Sequence, residues 1–241
     1  MTSKTESDRR PSGGFVRWLL PALAFLWALP ASSAAAKAPM VPSWSAVATL
    51  RAKTVGVFEK PGAKHPFVRF SSRNSDGAIQ TFLVAGTLGK WVQIYLPIRP
   101  NGSKGWVKAS QVNLARDDYF VQIELRRHRL TLFRAGRVIV REPVGVGRLA
   151  LPTPRGLYYI VELLKQPDPR GPYGPYAFGL SAYSNVLYTF GGGPGQVGLH
   201  GTDAPTGLGR DVSHGCIRMK NASIKKLARL LPLGTPVRIT R

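Results

Sequence analysis

The segment Ser213-His214-Gly215-Cys216-Ile217-Arg218-Met219 holds the only cysteine of the chain. A single cysteine has no partner for an internal disulfide. Set between a histidine and an arginine, with His200-Gly201-Thr202 thirteen residues ahead of Ser213, this thiol has the ingredients of an activated nucleophile. In an extended segment alternate side chains share a face, so His214, Cys216 and Arg218 are expected to point together and Ile217 into the core. Gly215 would let backbone or substrate approach beside the sulfur. The thiolate is the reactive form, and cationic neighbours are expected to lower the thiol pKa from about 8.5. His200 and His214 are both available to take the proton. His65 and His128 lie in segments without this context and are expected at the surface. The opposing reading is an inert buried thiol, where most free cysteines sit. A metal site is disfavoured: His200, His214 and Cys216 make three candidate ligands where structural zinc takes four, and no HExxH or Cys-x-x-Cys is present. The chemistry indicated is cysteine-based acyl transfer with no cofactor and no metal. Whether water or an amine receives the acyl group is not fixed by these residues.

The elements that must position this segment read as mainly β. From Tyr119 the strand candidates are Tyr119–Ile123, Arg129–Phe133, Val138–Val140, Leu157–Leu164 and Val186–Phe190, with a hairpin at Arg134-Ala135-Gly136-Arg137. Gln166 to Tyr176, with four prolines and two glycines, is too long and breaker-rich for idle packing and is expected to be a lid. With the loop from Gly191 to Gly195, it should decide what reaches the thiol. The one principal helix follows the cysteine. Asn221 or Ser223 can cap it, Ile224, Leu227, Ala228 and Leu231 share a face, and Pro232 with Gly234 ends it. Val237-Arg238-Ile239 is the closing strand.

Upstream, residues 1–36 have the layout of a secretory signal peptide: Arg9, Arg10 and Arg17, an apolar run from Trp18 to Leu29, then small residues to Ala36. The run is short for a membrane span, though an uncleaved segment would tether the protein. Residues 37–46 read as a linker. Residues 47–115 carry short β-runs separated by turn chemistry, including Thr54–Phe58, Phe67–Phe70, Gln80–Val84, Trp91–Leu96 and Gly105–Val107, the pattern of a small barrel or sandwich. Trp91 and Trp106 either stack on a ligand or fill that core. The formal charge is +22, spread over both halves. No basic stripe interleaved with aromatics, zinc module or recognition helix supports nucleic-acid binding. For an exported chain, the polyanions within reach are anionic cell-wall polymers and lipid head groups.

Two resemblances follow from these residues. Residues 47–115 resemble a bacterial SH3-like domain through Lys60-Pro61-Gly62, the Gly89-Lys90-Trp91-Val92-Gln93-Ile94 strand and the Pro97 to Val107 segment. Residues 117–241 resemble the L,D-transpeptidase catalytic domain (the YkuD-like family) through His200-Gly201-Thr202, Ser213 to Met219, Val144-Gly145-Val146-Gly147, Thr153 to Tyr158 and Gly234-Thr235-Pro236-Val237. The second resemblance implies acyl transfer on peptidoglycan stem peptides, donor and acceptor. Cys216 would attack the carbonyl of the diamino acid and expel the terminal D-alanine, with His200 as base and then acid. The Gly201 carbonyl would hold the His200 tautomer, and His214 with the N–H groups around Gly215 would line an oxyanion hole. Arg218, Ser213 and Gly215 would contact substrate, Arg218 through a carboxylate or by holding the loop. A side-chain amine of a second stem would resolve the thioester, and carbapenem β-lactams would acylate the thiol. An L,D-carboxypeptidase, a protein-to-wall attachment enzyme and a non-catalytic wall-binding protein are the competing expectations.

Overall fold

The computed structural model describes residues 41–241, so the expected leader at residues 1–36 lies outside the described residues. The expected linker lies partly outside them, and its last two residues, Ser45 and Ala46, already belong to a strand. Seven strands form the N-terminal part: β1 (Ser45–Leu50), β2 (Thr54–Val57), β3 (Val68–Ser71), β4 (Thr81–Leu88), β5 (Trp91–Tyr95), β6 (Lys104–Lys108) and β7 (Val112–Asp117). Then come β8 (Tyr119–Glu124), β9 (Arg129–Arg134), β10 (Arg137–Pro143), β11 (Val146–Gly147) and β12 (Gly156–Lys165). The last strands are β13 (Tyr176–Tyr183), β14 (Gln196–His200), β15 (Asp211–Ser213), β16 (Ile217–Arg218) and β17 (Pro236–Thr240), with helix α1 (Asn221–Leu230) between β16 and β17. The chain is mainly β, with this one α-helix among the described residues.

The N-terminal sheet runs β6-β5-β4-β1-β7, beside a separate β2–β3 hairpin. Period-2 burial drives it: in β5 Val92 and Ile94 are buried while Trp91, Gln93 and Tyr95 are half-buried. Trp91 meets Phe58 edge-on at 5.3 Å, a contact within the module. The second sheet runs β10-β9-β8-β17-β12-β13-β14-β16. The turn at Ala135-Gly136 has positive φ at both residues (47° and 77°), the left-handed pair that matches a two-residue hairpin to strand twist.

β12 is a party wall. Tyr158 and Ile160 pack into the core of the larger sheet with Val121, Leu130 and Ile224, whereas Tyr159 and Val161 pack with Phe82, Val92 and Ile94 of the N-terminal part. Alternation along one strand thus feeds two cores. Tyr159 is fully buried and its hydroxyl donates to the Tyr95 carbonyl at 3.1 Å. Tyr159→Ala is expected to cost about 3–5 kcal/mol and Tyr159→Phe about 1 kcal/mol, read from denaturant unfolding as one shared transition.

Three expectations differ from the structure. Val186 to Phe190 is a loop, because Ser184 Oγ accepts the N–H groups of Val186 and Leu187 and Arg99 takes the carbonyls of Ser184 and Leu187. Those groups are no longer free for a ladder. β13 and β14 were unexpected: small residues and glycines (Gly179, Gly198) dilute their β signal. Helix α1 starts at Asn221 with Lys220 in the cap position and no side-chain cap. Asn221 Oδ1 instead accepts the Thr202 N–H at 2.8 Å.

Candidate active site

β14 ends on His200 and runs parallel to β16, with Leu199 opposite Ile217 and His200 opposite Arg218. Leu199 and Ile217 are fully buried in the core, as their parity requires. Gly198, His200, Cys216 and Arg218 therefore share the other face. The Gly198 N–H donates to Cys216 Sγ at 3.3 Å. A Cβ at Gly198 would lie 3.8 Å from that sulfur and 3.7 Å from His200 Cδ2, so thiol and imidazole border the same bare backbone position.

The segment around the cysteine is not one extended strand. β15 pairs with β11 in a small parallel sheet, the chain bends at His214-Gly215, and β16 joins the large sheet. Gly215 makes the bend with φ 118°, a value that favours glycine. In consequence His214 leaves the face of Cys216 and Arg218. It is exposed and stacks on Phe190 at 5.4 Å, lining a small separate crevice with Gly215 and Cys216.

Hydroxyls fix this turn. Ser213 Oγ donates to the Cys216 carbonyl at 2.6 Å and accepts the Gly215 N–H at 3.1 Å. Thr153 Oγ1 donates to the Gly215 carbonyl at 2.9 Å and accepts the Gly147 N–H at 2.9 Å. Ser213 is 1 % exposed with its hydroxyl engaged on both sides, so it holds the turn at Cys216 where a substrate contact had been expected. Thr153 was not singled out for this role, since its partner is 62 residues away.

His200 is 3 % exposed, and its Nδ1 lies 2.6 Å from the Gly201 carbonyl. A carbonyl only accepts, so Nδ1 carries the proton and Nε2 keeps its lone pair. Burial pulls the imidazole down to about 4, outweighing the upward pull of the Gly201 bond; the Arg218 charge also lowers it. Burial pushes the Cys216 thiol up, against smaller downward pulls from the Gly198 N–H and Arg218. The lowered thiol pKa expected from neighbouring cations is thus overturned by desolvation. At neutral pH the pair rests as thiol and neutral imidazole. Arg218 acts on both as a charge; its Nε is buried with no hydrogen-bond partner among the described residues.

A cavity of about 270 Å³ opens over this face, lined by Cys216, His200, Gly198, Gly179, Tyr173 and Glu162 among others. A larger one, about 760 Å³, lies beside Arg126, Arg155 and Asp211 and is not lined by Cys216 or His200. His128, also on that larger cavity, is half-buried with Nε2 2.8 Å from Asp211 Oδ1, so it is not the free surface residue expected. His65 is exposed.

Two loops form the walls. Within the 166–176 connection, the Tyr173 ring meets the His200 ring edge-on at 4.9 Å, and Gly174 packs so closely on Gly201 that a Cβ would overlap it. The connection after β13 is clamped by Arg99 of the N-terminal part, which donates to the carbonyls of Pro194 (2.9 Å), Ser184 and Leu187 (both 3.1 Å). Its guanidinium also lies against the rings of Tyr183 and Tyr188. Neither contact was legible in the sequence.

Glu162 is 4 % exposed on the cavity wall and accepts Asn74 Nδ2 at 2.7 Å. Burial, reinforced by the neighbouring Asp76 carboxylate, raises its pKa from 4.5 to about 7. An acid whose folded pKa is raised stabilises the fold below its unfolded pKa and loses that contribution as pH rises through the folded one. Wild type should therefore lose about 1–2 kcal/mol relative to Glu162→Gln between pH 4.5 and 7.5, measured by urea unfolding across that range.

Residues 118–239 match the family described as L,D-transpeptidase catalytic domain, YkuD. The chain is 37% identical over 122 residues to the family protein YkuD of Bacillus licheniformis, covering 51% of this chain and 66% of that one. It is 36% identical over 123 residues to the Bacillus subtilis protein, with the same coverage. It thus spans just under two thirds of the length of these relatives. A solved L,D-transpeptidase from Enterococcus faecium overlaps 52% of this chain and 50% of its own at 21% identity, with TM-score 0.41. One from Mycobacterium smegmatis overlaps 78% and 99% at 15% identity, with TM-score 0.43. At those scores the fold rests on this chain's own strand order.

Proposed function

The chain belongs to the YkuD family of L,D-transpeptidase catalytic domains, and from that premise we propose that it is an extracytoplasmic peptidoglycan L,D-transpeptidase working through a Cys216 thioester. The observation that carries this reading is the pairing of Cys216 with an imidazole whose Nδ1 is tied to the Gly201 carbonyl, both bordering one cavity. A neutral His200 is the form a general base needs. As Sγ attacks the carbonyl of the diamino acid in a tetrapeptide stem, Nε2 takes the thiol proton and then hands it to the departing D-alanine amine. The Gly198 N–H already points at the sulfur and stabilises charge as it develops there. Arg218, whose Nε is buried and which does not line the cavity, serves here through the charge it places beside Cys216 and His200. Backbone N–H groups at the Gly215-Cys216 bend, with His214 beside them, would stabilise the oxyanion. An amine of a second stem then attacks the thioester and forms the cross-link.

The N-terminal part, read as an SH3-like domain, takes a supporting role in this proposal, since Arg99 and Asn74 reach the walls of the cavity. The +22 charge would hold an exported protein near anionic wall polymers. Among the described residues no helix is long and apolar enough to cross a membrane. The test is an intact-protein mass after incubation with a carbapenem, and separately with the tetrapeptide donor. A stoichiometric adduct with the first and D-alanine release with the second are expected. A reduced, folded protein that yields neither would leave the non-catalytic wall-binding reading standing.

A further inference from the structure

A row of residues crosses the sheet from Glu162 to the thiol. Glu162 pairs with Gly179, Gly179 pairs with Gly198, and the Gly198 N–H meets Cys216 Sγ. The two residues between the carboxyl and the sulfur are glycines, so the row is a groove with functional groups at its ends. The Glu162 carboxyl leans over Gly179, where a Cβ would overlap Oε1, while the sulfur lies beside Gly198. Neighbouring strands are about 4.8 Å apart, so the carboxyl and the sulfur are separated by one to two such spacings.

A bulge aims Glu162 into this groove. The β12–β13 register steps from Ile160↔Leu180 to Glu162↔Gly179, which reverses side-chain parity past Val161. Ile160 lies in the core and Leu163 packs against that same core, an odd spacing that turns Glu162 to the cavity. In a chain of charge +22 no Lys or Arg lines this cavity, and none is within salt-bridge distance of Glu162 among the described residues. A nearly buried carboxyl without a cation is costly to keep and leaves room for a cationic ligand.

We infer that Glu162 recognises the ammonium of the incoming acyl acceptor and takes its first proton, making it the residue that favours a primary amine over water. The inference rests on the transpeptidase reading above. Of the ammonium's three protons, one passes to the Glu162 carboxylate. A second passes through His200 to the sulfur as the C–N bond forms and the C–S bond breaks, and the third stays on the amide nitrogen. A carboxyl titrating near 7 can both receive that proton and release it to solvent. Asn74 holds the carboxyl by a hydrogen bond, Gln196 lies beside it while donating to the Leu180 carbonyl, and Asp76 and Tyr183 are the titratable groups that face it.

Wild type and Glu162→Gln are each acylated with the tetrapeptide donor and offered Nα-acetyl-lysine methylamide, a free side-chain amine, with amide and hydrolysis products separated by mass spectrometry. The amide-to-hydrolysis ratio is expected to fall roughly 10–100-fold in Glu162→Gln, and its rise with pH through about 7 in wild type to vanish. Asp76→Asn should move that rise to lower pH. Glutamine keeps the size of the side chain and an oxygen for Asn74, so a merely structural Glu162 would leave ratio and profile unchanged, which overturns the inference. Equal losses in acylation and aminolysis would overturn it as well. A wild-type thioester that only hydrolyses, whatever the amine concentration, would sink the transpeptidase reading itself before any variant is compared.

Discussion

Cys216→Ala is expected to abolish both the carbapenem adduct and D-alanine release, a fall of roughly 10⁴-fold or more. The size follows from the absence of an equivalent substitute: this is the only thiol in the chain, and no serine or threonine lines the cavity. The effect on folding should be small by comparison. The substitution leaves the Gly198 N–H without its sulfur acceptor, a loss of about 1 kcal/mol, while the turn itself is held through the backbone carbonyls by Ser213 and Thr153. Thermal melting within a few degrees of wild type, with no adduct by intact mass, is the expected pair of results. Cys216→Ser keeps an acceptor for that N–H and should be just as inert to the carbapenem over minutes, because a hydroxyl holds its proton more tightly than a thiol. Turnover surviving in either variant would remove the nucleophile assignment.

His200→Ala should slow acylation about 10²–10⁴-fold. The resting thiol is protonated, since burial pushes its pKa up, so attack needs a base at the moment of reaction. Neutral His200 is the proposed base, lining the same cavity as Cys216. Its depressed pKa of about 4 fixes the pH dependence: the imidazole is unprotonated across pH 5–8, and the acylation rate should be nearly flat there. Below about pH 4 the ring takes a proton and the rate should drop. The variant also leaves the buried Gly201 carbonyl unpaired, at a cost of about 1–3 kcal/mol. Because of that cost, stopped-flow acylation is to be read on protein shown folded by its melting curve. A carbapenem rate equal to wild type would show that His200 is not the base.

Much of the site could be read from the linear order of residues. The lone thiol, its flanking glycine and the upstream His-Gly pair stand close in sequence, and the short strands around them are declared by local alternation. What was misread has common causes. Local charge suggested a lowered thiol pKa, but desolvation is set by everything packed around the sulfur, and it wins. The extended segment was inferred from spacing alone, yet Ser213 and Thr153 impose a bend that sends His214 away from Arg218. Val186 to Phe190 has strand composition, but its Leu187 carbonyl is claimed by an arginine 88 residues earlier and the N–H groups of Val186 and Leu187 by Ser184. Glu162 sits in an apolar run whose parity points it into the core, and only the bulge at Val161 redirects it.

By itself the sequence determined the mainly β class and singled out one thiol with two candidate histidines, His200 and His214, since each is legible in residue type and short-range periodicity. Tertiary structure decided how the pair rests, which loop walls the cavity and which carboxyl faces it. The physical reason is range. Strand preference and a left-handed glycine are properties of a few neighbouring residues, whereas burial, register and a clamp such as Arg99 exist only after segments tens of residues apart have packed together.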